Sequence, residues 1–309
     1  MEVGSLMKKS LFVFALVLLV SICSPVFAQT PEQMGPPPVL LIVREDIKPG
    51  KMPAHARHSA EFAQIFAKLQ TTNHRIALWP IAGSENDLVY ITPAGSFADI
   101  EKMQQDTDKK MTAAGGTTRA DLDRLEKEAP DLHAGMRDML AIYRPEMSFN
   151  PNVNIAQMRY FAITTVRVRP GHDAEYADYI RSVVNVARDK AKVDNFHLAC
   201  FQVISGAPGG TYMFFRPMKS LGEFDQNVGA KVRAAMSDDM RKHADKTTAD
   251  AVISSESSTY AYEPRMSYVD KDLAAQDPTF WNPKPEKPMM KKRVKKPTAA
   301  KPAGTAPPK

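Results

Sequence analysis

The sequence predicts an α+β protein made of two similar halves, each a four-stranded antiparallel sheet with its helices on one side. The two sheets are expected to pack face to face within one chain. Three observations lead there. Four landmark motifs recur in the same order, at offsets of 121 to 124 and finally 119 residues. Each copy reads strand, helix, strand, hairpin, strand, helix or helices, strand. The second strand of each copy is a continuous apolar run, which requires cover on both faces.

The elements follow in order. Val39-Leu40-Leu41-Ile42-Val43 leads to Ile47-Lys48-Pro49-Gly50, and Tyr160-Phe161-Ala162-Ile163 leads to Val168-Arg169-Pro170-Gly171. A helix follows each Pro-Gly. In the first, Phe62, Ile65, Phe66 and Leu69 make an i, i+3, i+4, i+7 stripe, with Val183, Val186 and Ala187 at the matching positions. Next come paired strands, Ile76–Ala82 with Leu88–Thr92 and Leu198–Ser205 with Thr211–Arg216, joined by Gly-containing hairpin loops. Ser96 and Ser220 then stand as helix N-caps, with Asp99 and Glu223 three residues on. Met147-Ser148-Phe149 and Met266-Ser267-Tyr268 each follow a proline, and a last edge strand is expected to begin there.

Charge is unevenly spread. Residues 284–309 carry a net +8 and residues 1–28 a net +1, so the body between them stands at −3 although the whole chain is +6. That distribution argues against a nucleic-acid-binding body. Two cysteines in 309 residues exclude a disulfide framework and a Cys-rich zinc site. Cys200, in an apolar run, reads as a small core residue.

Residues 1–28 read as a signal peptide. Lys8-Lys9 precedes the apolar run Leu11–Val20, and Val26 and Ala28 stand at −3 and −1 of a cleavage site. That run is shorter than the roughly 20 residues an uncleaved anchor needs. Ile22 occupies the place where a lipoprotein signal carries a small residue, so lipidation of Cys23 is not expected. Export to the periplasm or the extracellular space follows. The remaining boundaries are a Pro-rich linker over 29–38, the halves at 39–152 and 153–281, and a basic Pro/Lys/Ala-rich tail over 282–309. The tail cannot bury a core and is expected to be disordered. Lys291, Lys292, Arg293, Lys295 and Lys296 are its candidates for tethering to acidic lipid, lipopolysaccharide phosphate or cell-wall polymer. A solubilising tail without a partner is the alternative.

Helices cover only one face of a β-α-β-β-α-β sheet, and the second half supplies the other cover. The expected fold is therefore two tandem ferredoxin-like repeats closed as a single-chain dimeric α/β barrel. Ile47-Lys48-Pro49-Gly50 and the stretch Gly83-Ser84-Glu85-Asn86-Asp87-Leu88-Val89-Tyr90-Ile91 resemble the NIPSNAP-type branch of that superfamily. Where the branch carries Arg-x-Tyr, this chain has Val43 and Glu45, and Thr164 and Val166 in the second half. The resemblance implies a superfamily of cofactor-free oxygenases, haem degraders, isomerases and proteins without a known reaction.

Candidate site residues are aromatic. His55 and His58 lie three apart at the start of the first helix, and Tyr176 and Tyr179 occupy the matching positions. These four rings could line a pocket between helix and sheet, or be boundary residues with one edge packed and one edge wet. Trp79 and Phe201 pair with each other by offset, as do Tyr90 with Phe214 and Leu88 with Tyr212; they offer stacking faces or plain core. A metal at His55 and His58 needs a third ligand. Glu61 lies six positions beyond His55 on another helical face, so neither a metal nor a cofactor is expected. His74 and His197 precede second strands, where a general base could stand.

The sequence thus points to an exported barrel that binds a small, largely apolar molecule, with pairing of two chains left open. One alternative is a cofactor-free or haem-linked oxygenase or isomerase using His55, His58 or the second-half tyrosines. Another is a structural envelope protein held on polyanions by its tail.

Overall fold

The computed structural model describes residues 35–283. The signal peptide and the five tail residues named above lie outside the described residues.

Eight strands form one closed antiparallel barrel of the dimeric α/β-barrel kind. They are β1 (Val39–Ile47), β2 (Ile76–Ala82), β3 (Asp87–Ala94), β4 (His133–Tyr143), β5 (Tyr160–Val168), β6 (Ala199–Ser205), β7 (Thr211–Met218) and β8 (Val252–Tyr262). Their order around the barrel is β1-β3-β2-β8-β5-β7-β6-β4. The first four strands run β4-β1-β3-β2 and the last four β8-β5-β7-β6, one arrangement used twice. The two sheets face each other across one shared interior cluster. Their edges hydrogen-bond, β2 to β8 and β4 to β6, which removes every free edge.

Helices coat the outside: α1 (Met52–Leu69), α2 (Phe97–Thr112) and α3 (Gly116–Leu132) over the first half. Over the second lie α4 (Asp173–Tyr179), α5 (Val186–Lys190), α6 (Val228–Ala235) and α7 (Asp238–Ala251), followed by the short α8 (Lys271–Gln276) and α9 (Pro278–Trp281). No helix among the described residues is long and apolar enough to cross a membrane.

Local sequence explains most boundaries. Ser96 accepts a hydrogen bond from the Asp99 amide at 3.2 Å and caps α2 as its spacing predicts. Ser220 does not cap a helix with its side chain. It leads into a 3₁₀ turn, Leu221–Gln226, and Glu223 instead accepts from the Lys219 amide. Between α4 and α5 a π-turn, Ile180–Asn185, shifts the helical phase. The buried face becomes Ile180, Val183 and Ala187, and Val186 of the expected stripe turns outward.

The Met-Ser segments do not begin the last strands. β4 and β8 end before Pro145 and Pro264, because a proline has no N–H to continue the ladder. Beyond each proline the chain clasps the other half. Ser148 Oγ accepts from the Cys200 amide and Ser267 Oγ from the Ala77 amide, both at 2.9 Å. Phe149 bridges Leu198, and Tyr268 bridges Arg75.

The clasps fix the correspondence between the second strands. Ala77 matches Cys200, so Leu78 matches Phe201, and the expected Trp79–Phe201 pairing is one residue out of register. Leu78 and Phe201 face the barrel interior, whereas Ala77 and Trp79 face the helices. A one-residue slip moves a side chain to the opposite face.

The interior is full. Paired inward residues such as Ile42, Leu78, Ile163 and Phe215 pack into one cluster. A cavity of about 10 Å³ beside Ile42, Met139 and Tyr260 has room for a single water at most. Trp281 of α9 closes one end, packed on Tyr262 with its indole N–H donating to the Ala156 carbonyl at 2.9 Å. Toward the other end Arg44 grips Asp87 through two hydrogen bonds of 2.7 Å, and the Tyr260 hydroxyl donates to the same carboxylate at 2.6 Å.

Candidate functional site

With the interior filled, the sites must be sought outside the barrel. A recess of about 1060 Å³ among the described residues is a groove between α1 and the chain that follows β8. Its origin is legible in α1. Ala56, Ala60, Ala63 and Ala67 fall on one stripe of the helix, and their short side chains leave a trough. The matching stripe of the second half reads Ala177, Arg181, Val184 and Arg188. There the Arg188 guanidinium lies over the Phe149 and Phe196 rings, and the recess beside Val184 and Arg188 is smaller, about 400 Å³. The two halves share strand order but not this trough.

Trp79 and Met266 line the groove from the barrel side, and Tyr268, Ala274 and Trp281 line it from the C-terminal segment. Trp79 and Trp281 are the only tryptophans of the chain. His74 stands in the same wall, its Nδ1 3.6 Å from an Asp270 carboxylate oxygen. Burial lowers its pKa and outweighs the opposing pull of Asp270, which favours neutral imidazole.

The other candidates divide. Phe201 lies inside the barrel, 5.6 Å from the Phe215 ring. Tyr90 is buried between β3 and α1 and donates to Ser59 Oγ at 2.9 Å. Tyr176 packs against Tyr212, whose hydroxyl donates to Asp173 at 2.9 Å. Tyr179 lines a separate recess of about 400 Å³, and His58 one of about 250 Å³. His197 is held by the Asn150 carbonyl at 2.8 Å. Among the eight sequence candidates, Trp79 alone lines the large groove.

His55 joins two residues that spacing along one helix cannot reveal. Its Nε2 lies 2.8 Å from Glu45 Oε2, near the end of β1, and 3.0 Å from Nε2 of His133, the first residue of β4. His133 Nε2 is 3.5 Å from the same carboxylate oxygen. Glu61, the third ligand considered from sequence, points elsewhere and pairs with Arg124. Burial alone would raise the Glu45 pKa, but the flanking His133 and His55 more than offset it and hold the carboxyl at about 2. The Glu45 contact raises the His133 imidazole in turn.

No family model matches the chain, and no curated protein sequence does. Among solved structures it is similar to an anthrone oxidase-like protein, at 14% identity and a TM-score of 0.46, over 73% of this chain and 90% of that one. It is also similar to a mutant chlorite dismutase from Candidatus Nitrospira defluvii in complex with cyanide. That match has 9% identity and a TM-score of 0.44, over 77% of this chain and 93% of the other. Likeness at this level carries no chemistry to this chain, and the barrel assignment rests on its own strand pairing.

Proposed function

We propose that the protein binds a small, largely apolar molecule in the groove between α1 and the C-terminal segment. The observation that carries this is the alanine stripe of α1 facing Trp79 and Trp281 across about 1060 Å³, beside a barrel interior with no room for a ligand. A concave, mostly apolar recess with a few polar groups at its wall suits a compact aromatic ligand. Both tryptophans report on it. Titration with the dye anilinonaphthalene sulfonate should quench tryptophan emission saturably, with a Kd of about 10 µM. Trp79→Ala should weaken binding at least about tenfold, the loss of one stacking face. Unsaturable quenching, or an unchanged Kd in Trp79→Ala, would remove the groove as the site.

A second reading uses the same groove for cofactor-free oxygenase or isomerase chemistry. His74 favours it, since an imidazole kept neutral at a pocket wall is the form that accepts a substrate proton. His74→Gln would then abolish turnover and leave binding intact.

The common strand order and the two serine clasps support a reading of the halves as tandem ferredoxin-like repeats, and the NIPSNAP-type reading rests on Ile47-Lys48-Pro49-Gly50 and residues 83–91. Export and tethering complete the proposal: cleavage after Ala28, with Lys291, Lys292, Arg293, Lys295 and Lys296 drawing the protein to an anionic surface. One fractionation tests both. The exported protein should begin at Gln29 by intact mass and be retained on anionic vesicles at low salt, and a chain ending at Trp281 should be exported but not retained. Equal retention of the two chains would refute the tether, and an exported mass that keeps residues 1–28 would refute the cleavage.

A further inference from the structure

We infer that Glu45, His55 and His133 form a binding site for a divalent first-row transition ion, with Zn²⁺ the best match to the donor set. The site is independent of the groove.

The donors are of the right type and spacing. Two imidazole nitrogens and one carboxylate oxygen converge with separations of 2.8, 3.0 and 3.5 Å. An ion about 2.1 Å from each donor sets neighbouring donors about 3.0 Å apart in an octahedron and about 3.4 Å apart in a tetrahedron. The observed triangle spans both values, so small side-chain adjustments suffice. Two nitrogens with one carboxylate suit Zn²⁺ and its first-row neighbours rather than Ca²⁺ or Mg²⁺, which prefer oxygen.

The surroundings point the nitrogens inward. His133 Nδ1 lies 2.8 Å from the Ala129 carbonyl, an acceptor only, so Nδ1 carries the hydrogen and neutral His133 offers the Nε2 lone pair. His55 Nδ1 faces Ser59 Oγ at 3.5 Å, and Ser59 is itself positioned by the Tyr90 hydroxyl. His58 lies alongside, but its Nε2 is engaged by the Leu125 carbonyl at 2.9 Å and stays out of the set.

Glu45 supplies a separate argument. Its Oε2 is buried and accepts no well-directed hydrogen bond, although the His55 nitrogen is 2.8 Å away. A buried carboxylate oxygen without a directed donor is costly, and a bound cation would satisfy it. Access remains: the His55 side chain is 1% exposed, but those of Glu45 and His133 are 13% and 20% exposed. An ion could enter on that side and keep a water as its remaining ligand.

The test uses the untagged chain from Gln29, stripped with chelator. Calorimetric titration with Zn²⁺ at about pH 7.5, in buffers of different ionisation enthalpy because metal binding displaces imidazole protons, should show one site with a Kd of about 1 µM or tighter. Glu45→Gln and His133→Gln should each weaken it at least about tenfold, whereas His172→Gln, at an exposed His–Glu contact, should not. A readout on the unmodified chain guards against variants that fail to fold. In ¹⁵N-histidine spectra, Zn²⁺ should shift the Nε2 signals of His55 and His133 and leave those of His172 and His197 in place. Absence of saturable binding up to about 1 mM, or shifts confined to other histidines, would overturn the assignment and leave the cluster a hydrogen-bonded network.

Discussion

Gly206→Ala should lower the stability of the folded chain by roughly 4 kcal/mol or prevent folding. Gly206 follows β6, has a positive φ of 86°, and lies against β4 of the other half. A Cβ there would sit 1.9 Å from the Asp138 carbonyl oxygen and 2.9 Å from Met139 Cα. The obstacle is backbone, so relief requires separating β4 from β6 at the seam that closes the barrel. Gly50 provides the control. Its φ is 76° but nothing lies within 4 Å of the added Cβ, so Gly50→Ala should cost only about 1 kcal/mol. Urea unfolding of both variants checks the contrast. A Gly206→Ala loss no larger than that of Gly50→Ala would mean that the seam is not packed as described.

Asp87→Ala should cost about 3 kcal/mol. The Asp87 side chain is 2% exposed and receives both the Arg44 fork and the Tyr260 hydroxyl. Removing the carboxylate strands a guanidinium and a phenol at the barrel end. The Arg44 side chain is 32% exposed, so water recovers part of the loss and the value falls at the low end of the range for buried pairs. Arg44→Met in the same chain should restore a measurable fraction, because the stranded charge is then gone. A single-variant loss below about 1 kcal/mol would contradict the described arrangement.

The barrel was largely legible in the sequence, because its evidence is local. Apolar runs bounded by Gly-containing loops mark β2, β3, β6 and β7, and each Pro-Gly marks the turn into a helix. Face and partner were harder to read. Ile76-Ala77-Leu78-Trp79 has no polar position to reveal which residues point inward, so Trp79 and Phe201 could be aligned one residue out of phase. β8 was obscured for the opposite reason. Residues 253–257 are exposed, and Ser254-Ser255-Glu256-Ser257 reads as a loop until pairing with β5 accounts for it. The prolines that the sequence predicts to open the last strands lie just past their ends.

The sites were less legible because they join distant residues. His55 is visible as a candidate on α1, but Glu45 belongs to β1 and His133 lies 78 positions away. No periodicity connects them. Glu45 stands in the charged run Arg44-Glu45-Asp46 of β1, so nothing in the sequence marks it as the mostly buried member. The alanine stripe was visible in α1, although only the C-terminal segment facing it turns small side chains into a groove.

The central claim is that the ligand lies outside the barrel, against α1. The most direct measurement is a paired dye titration of Ala60→Phe and Phe201→Leu, each checked for native unfolding behaviour. Ala60→Phe fills the trough from the helix and should abolish saturable tryptophan quenching while keeping the fold. Phe201→Leu alters only the interior and should leave the Kd unchanged. Binding that survives in Ala60→Phe but changes in Phe201→Leu would place the ligand inside the barrel and contradict the account.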